Sequence, residues 1–165
     1  MDASEALSTS EIVVSTPHEG APSERVPVHA IMSCPLITIS PDARLSQAHA
    51  TMSSHGVHHL LIRDRGKIVG IVFDRDIAHR LSPATAHGLA SRHDEEAMER
   101  RVLQVATFNI ITIASTATIE DAAALILERN ISALPVVNEA REFVGMVTSR
   151  DLLRGLLACT LPQAA

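Results

Sequence analysis

Gly145-Met146-Val147-Thr148-Ser149-Arg150-Asp151-Leu152 reads as a buried strand that ends in a polar turn and opens a helix. Most of it occurs twice. Gly70-Ile71-Val72-Phe73-Asp74-Arg75-Asp76-Ile77 stands 75 positions earlier, with the same order of small, apolar, polar and acidic residues. A duplicated strand–turn–helix marks an internal repeat, and a repeat decides the fold before any single element does.

Working outward from each copy, the same script appears on both sides. Ile37-Thr38-Ile39 and Ile111-Thr112-Ile113 are short β-prone runs 74 positions apart. Ser40-Pro41-Asp42 signals a turn and helix start, after which Leu45, Ala48 and Met52 share one helix face, and Gly56 supplies a left-handed end. Leu60-Leu61-Ile62 is a strand, Asp64-Arg65-Gly66-Lys67 a hairpin turn, and Ile68 to Phe73 the returning strand. In the second copy Ile119, Ala122, Ala123, Ile126 and Leu127 form the apolar stripe of a helix. Leu134-Pro135-Val136-Val137 and Phe143 to Thr148 are its strands, with Pro135 read as a strand-edge residue. A terminal helix carries Leu152, Leu153, Leu156 and Leu157 and closes at Pro162.

Each copy is therefore strand–helix–strand–strand–helix, and one such unit has too little core to stand alone. The expected class is α+β (mixed α/β), with two β-α-β-β-α repeats packed about a pseudo-twofold axis. The boundaries read as a flexible N-terminal tail over 1–26, in which Ile12-Val13-Val14 reads as loop with an edge strand or a dimer contact as the alternative, repeat 1 over 27–81, a partly helical linker over 82–100, repeat 2 over 101–159 and a tail over 160–165.

Composition narrows the function classes. The chain has 165 residues, 46% of them hydrophobic, with three Phe and no Trp or Tyr, so its core is aliphatic. A net charge of −5 and the lack of stacking aromatics argue against nucleic acid as a partner. Cys34 and Cys159 are too far apart in sequence to suggest a disulfide framework or zinc knuckle, and they fit a reducing compartment. With neither a signal peptide at Met1 nor a span of about 20 apolar residues, the expectation is a cytoplasmic protein without a membrane partner.

On these motifs the chain resembles a tandem pair of CBS (cystathionine-β-synthase-type) domains, a Bateman module. The matching pieces are His58-His59-Leu60-Leu61-Ile62 with Gly70 to Asp76, and Ala133-Leu134-Pro135-Val136-Val137 with Gly145 to Asp151. The resemblance implies a regulatory module, not an enzyme. Such a pair binds an adenosine-containing nucleotide (AMP, ADP or ATP, with S-adenosylmethionine as an alternative and Mg²⁺ only alongside ATP) between its repeats. It passes the state to an effector protein or through a homodimer. The family turn is glycine, two apolar residues, Thr or Ser, two variable residues, then Asp. Copy two carries it in full through Thr148 and Asp151, whereas copy one has Phe73 at the Thr position and keeps Asp76.

The implied ligand-binding residues are Thr148, Ser149, Arg150, Asp151, Asp76, His58, His59, Ile113, Pro135 and Val136. A helix start favours a phosphate, where Thr148 adds a hydroxyl donor. Asp151 is better matched to ribose hydroxyls than to a phosphate, and the strand Leu134–Val137 offers an apolar wall for adenine. His58 and His59 stand where the resemblance implies basic residues that contact ligand phosphate. Thr148-x-x-Asp151 is also a plain helix cap, which needs no ligand. Two other functions compete: a ligand-free dimerisation or interaction module, favoured by Phe73, and a metal hydrolase built on His55, His58 and His59.

Overall fold

The computed structural model describes residues 13–15, 26–81 and 92–160. Most of the N-terminal tail, the first half of the linker and Pro162 with the tail around it lie outside these. The chain divides into two compact units, one built on 37–110 and one on 11–36 together with 111–165. Each contains one β-α-β-β-α repeat with a three-stranded sheet of its own.

In unit 1, β2 (Thr38–Ile39) runs parallel to β3 (His59–Asp64), and β3 pairs antiparallel with β4 (Lys67–Phe73). Arg65 and Gly66 both take positive φ (45° and 84°), the two-residue turn whose twist matches a hairpin. Helix α1 (Leu45–His55) ends at Gly56, which adopts φ 63°. Its buried face of Leu45, Ala48 and Met52 closes on Leu60, Ile62, Val72, Ile77 and Val102. Helix α2 (Asp74–Ala78) is a single turn and a half, stopping before Leu81, and α3 (Arg92–Met98) provides the helical part of the linker.

Unit 2 repeats the plan with β5 (Ile111–Ala114), α4 (Ile119–Arg129), β6 (Ala133–Val137), β7 (Phe143–Thr148) and α5 (Ser149–Thr160). Its core gathers Ile113, Ile119, Ala122, Leu125, Ile126, Leu134, Val136, Val147 and Leu152. The α4 stripe is rotated from the sequence expectation, since Leu125 is buried and Leu127 is 80% exposed.

Three features depart from the sequence reading. Val13–Ser15, expected to be loop, forms β1 and pairs parallel with β5, widening that sheet to four strands in the order β1-β5-β6-β7. The edge amides and carbonyls of β5 would otherwise lack partners, which is the drive for adding a strand.

Residues 26–36, read as the lead of repeat 1, are hydrogen-bonded into unit 2. Val28 N donates to Ala117 O (2.7 Å), and Ser33 and Met146 exchange both backbone bonds (2.8 and 3.0 Å). The corresponding lead of repeat 2 completes unit 1: Val102 N donates to Ala43 O (2.8 Å), and Thr107 and Ile71 exchange bonds at 2.8 and 2.9 Å. Each repeat is thus finished by the segment that precedes the other. Gly145 is required for this, because a Cβ there would lie 2.4 Å from Met32 Sδ and 3.2 Å from Ser33 O.

Pro135 lies in β6, between β5 and β7, not on an edge. It stands opposite Met146, whose N–H and C=O both turn to Ser33, so this pair needs no donor from residue 135. On its other side, the bond that Leu61 N makes to Ile37 O in unit 1 (3.1 Å) has no counterpart from a residue without an N–H.

Candidate functional site

The duplicated turn forms a corner in each unit, where the last residue of a returning strand meets the start of its neighbour strand and a helix begins. In unit 2, Thr148 pairs with Ala133, and Ser149 N donates to Ser132 O (3.1 Å). Thr148 N donates to Asp151 Oδ2 (2.9 Å), Thr148 Oγ1 donates to the same oxygen (2.6 Å), and Asp151 N donates back to Thr148 Oγ1 (3.3 Å). This is a closed capping box at the start of a 12-residue helix. Asp151 is 8% exposed, and one of its carboxylate oxygens carries both Thr148 bonds.

The same unit holds a control for this geometry. Thr118-x-x-Asp121 at the start of α4 makes the same three bonds, at 3.0, 2.8 and 3.2 Å. The Thr-x-x-Asp bonding is therefore what any such helix start forms, and it does not by itself mark a ligand. The surroundings distinguish the corner. Four matched positions line it in each repeat, and in unit 2 all are small: Ser132, Ala133, Thr148 and Ser149.

In unit 1 those positions are His58, His59, Phe73 and Asp74. The backbone frame is the same, with Asp74 N donating to His58 O (3.0 Å) and Phe73 N to Asp76 Oδ2 (3.0 Å). The side chains, however, bond and pack among themselves. His58 Nδ1 lies 2.6 Å from Asp74 Oδ2, the His59 and Phe73 rings are tilted together at 6.4 Å, and the Arg75 guanidinium sits 4.7 Å from the Phe73 ring centroid.

The apolar residues assigned to the site from sequence separate by face. Ile113 pairs with Val136, and both are fully buried in the helix-facing core of unit 2. They cannot touch a ligand on the other face. Pro135 alternates with Val136 along the strand and so points to the opposite face. Ser132 and Ala133, which the sequence reading did not single out, also stand at this corner, with Ser33 two strand positions from Thr148 through its pairing with Met146. Aligning the two strand starts, His58-His59 against Ser132-Ala133, is the signal that would have found the first two.

Metal chemistry has little to build on. His55 Nδ1 turns back onto its own helix at Thr51 O (2.9 Å), away from any shared centre with His58. Among the described residues no group of three or more His, Cys, Asp or Glu side chains converges. No helix among them is long and apolar enough to cross a membrane.

A mixed fold of two such β-α-β-β-α repeats, each turning from a strand into a helix at the same corner, defines a tandem-repeat class. The particular family follows from comparison: the CBS domain model matches residues 28–83 and 102–158, and the chain belongs to that family. A CBS domain-containing protein of Dictyostelium discoideum is 32% identical over 143 residues, covering 84% of this chain and 96% of that protein. The L-aspartate semialdehyde sulfurtransferase of Methanocaldococcus jannaschii is 30% identical over 128 residues, 77% of this chain. The chain spans 46% and 22% of the length of two M. jannaschii relatives, the second being that enzyme. Among solved structures, the CBS domain pair of protein MJ0100 in complex with 5'-methylthioadenosine and S-adenosyl-L-methionine is similar, with a TM-score of 0.67 and 30% identity. It is matched over 82% of this chain and 99% of that one.

Proposed function

We propose that this chain is a regulatory ligand-sensing module whose second repeat binds an adenosine-containing nucleotide at the Thr148–Asp151 corner. The observation that carries the reading is the corner itself: a complete Thr-x-x-Asp turn at a 12-residue helix, walled by Ser132, Ala133 and Ser149. Support comes from the related pair solved with two adenosyl compounds. The capping box opens on binding. Thr148 and the start of the helix take the anionic or polar part of the ligand, while Asp151 accepts from the ribose hydroxyls. Pro135, buried on the strand face opposite Val136, contributes apolar contact. His58, His59 and Asp76 line the equivalent corner of repeat 1, where the ligand's place is contested by Phe73.

The module regulates and does not catalyse. Binding shifts the population of two arrangements by no more than the ligand's differential affinity for them, and an effector protein or a homodimer reads the shift. The homodimer reading rests on Leu153, Leu156 and Leu157 of α5, which are 62%, 44% and 58% exposed. The ligand-free alternative, a dimerisation module alone, draws on the same leucines and on the fully satisfied Thr148–Asp151 box.

Calorimetry of the purified chain against AMP, ADP, ATP, S-adenosylmethionine and NAD, with and without Mg²⁺, separates these. Micromolar binding of an adenosine compound that is lost in Asp151→Ala is the expected result. No binding by any of the five refutes sensing and leaves the interaction module.

A further inference from the structure

The tripeptide Ile-Thr-Ile occurs at the same place in both repeats, as Ile37-Thr38-Ile39 and Ile111-Thr112-Ile113, and the two copies meet different neighbours. In unit 2, Ser115 N donates to Val137 O (2.8 Å), so alternate residues of β5 face β6. Thr112 lies between them and turns its backbone outward, where Val14 of β1 stands opposite. In unit 1, Leu61 N donates to Ile37 O (3.1 Å), so Ile37 and Ile39 face β3 and the N–H and C=O of Thr38 point outward in the same way. Among the described residues no strand lies beyond them, and the sheet ends at β2. Burial follows the difference: Thr112 and Ile113 are 0% exposed, whereas Thr38 and Ile39 are only half-buried. β2 itself carries no charge and no proline, the residues that usually blunt an exposed edge. Nor does the linker repeat the sequence of β1. At the repeat offset of 74 from Val13-Val14-Ser15 stands His87-Gly88-Leu89, with a glycine and no β-branched residue.

We propose that the outer edge of β2 is a docking site for an extended segment of an effector protein, added parallel to β2 as a fourth strand of unit 1, in the way that β1 completes unit 2. The strand already seated on the same tripeptide specifies the occupant. It is uncharged, with two adjacent β-branched residues, the second of them opposite the threonine. Main-chain bonds to Thr38 supply the affinity, and the β-branched side chains, alternating across the sheet, supply the selection. A second copy of this chain is the poorer occupant, because its β1 would have to leave its own β5 and no bond would be gained. The site is independent of the nucleotide reading: it names how an effector attaches, and its test needs no nucleotide.

The test is backbone amide exchange of the full chain, read by NMR at Thr38, with the peptide Ser-Glu-Ile-Val-Val-Ser-Thr-Pro, the sequence of residues 10–17, standing in for the effector segment. Two controls remove the same contact from opposite sides. One is the peptide N-methylated at its second serine, the amide that the β1 register would set against Thr38 O. The other is Thr38→Pro, which deletes the outward N–H and leaves the bonds to β3 in place, with thermal unfolding as the check that it is folded. The peptide should slow Thr38 exchange about tenfold at a concentration about ten times its Kd. The N-methylated peptide should not, and in Thr38→Pro the calorimetric affinity should fall at least about tenfold. Faster exchange at Ser15 without protection at Thr38 would mean that the peptide only displaces β1, and it overturns the proposal, as does no protection at millimolar peptide. Thr38 already protected in the dilute chain alone would show that the chain covers its own edge. Protection that grows with chain concentration would give the edge to a second copy. Either result also overturns it.

Discussion

Thr118 and Thr148 make the same capping bonds in the same unit, which allows ligand contact to be separated from helix capping by one pair of substitutions. In each, an alanine removes the hydroxyl bond to the Asp carboxylate (2.8 Å at Thr118, 2.6 Å at Thr148) and the bond from the Asp amide (3.2 and 3.3 Å). The backbone bond to the carboxylate, 3.0 and 2.9 Å, survives in both. Thr118→Ala and Thr148→Ala should therefore each cost about 1 kcal/mol, the usual worth of an N-cap. In denaturant melts the two variants should be indistinguishable. In nucleotide titration they should differ: Thr148→Ala loses a ligand hydrogen bond of about 0.5–1.5 kcal/mol, a fall of roughly twofold to tenfold in affinity, and Thr118→Ala changes affinity by less than about twofold. Equal losses of affinity would show that the effect runs through unit stability. Unchanged affinity in Thr148→Ala would remove Thr148 from the site.

Asp151→Asn keeps a capping acceptor for the Thr148 amide, so it should cost less stability than Asp151→Ala while still weakening nucleotide binding, as measured by melts and titration side by side. Gly145→Ala forces Met32 aside and presses on Ser33 O; melts should show a loss of about 1–3 kcal/mol, with faster amide exchange at Ser33 and Met146. Leu153→Glu with Leu157→Glu, both at well-exposed positions, should leave the melt within about 0.5 kcal/mol and halve the mass measured by sedimentation if α5 joins two copies. Replacing Val13–Ser15 with a flexible sequence should speed exchange of the β5 amides, Ile111 to Ala114, without unfolding unit 2.

What the sequence made legible was set by periodicity and punctuation. The Gly56 stop, the Arg65-Gly66 turn and the repeat offset are local chemistry, and each reappears in the structure. The site was read less well, for a geometric reason. Ala133 to Val137 are all buried, and an unbroken apolar run does not reveal which alternate residues face the core. Ile113 and Val136, which the resemblance implies at a ligand, pair with each other and bury their side chains in the core. Leu127 misled for a related cause, a helical stripe wide enough to include one residue the core cannot reach. The exchange of lead segments was invisible because nothing in residues 26–36 says which of two similar sheets they will join.

That exchange also orders events during synthesis. Ser33 leaves the ribosome well before its partner Met146. Unit 1 has every strand it needs once Ile110 has emerged, but unit 2 must wait with its opening segment unpaired until β7 is made. Closing the long loop between Ser33 and Met146 is then the slow step, and until β7 is made the waiting segment is the part of unit 2 most open to a chaperone or to another copy of itself.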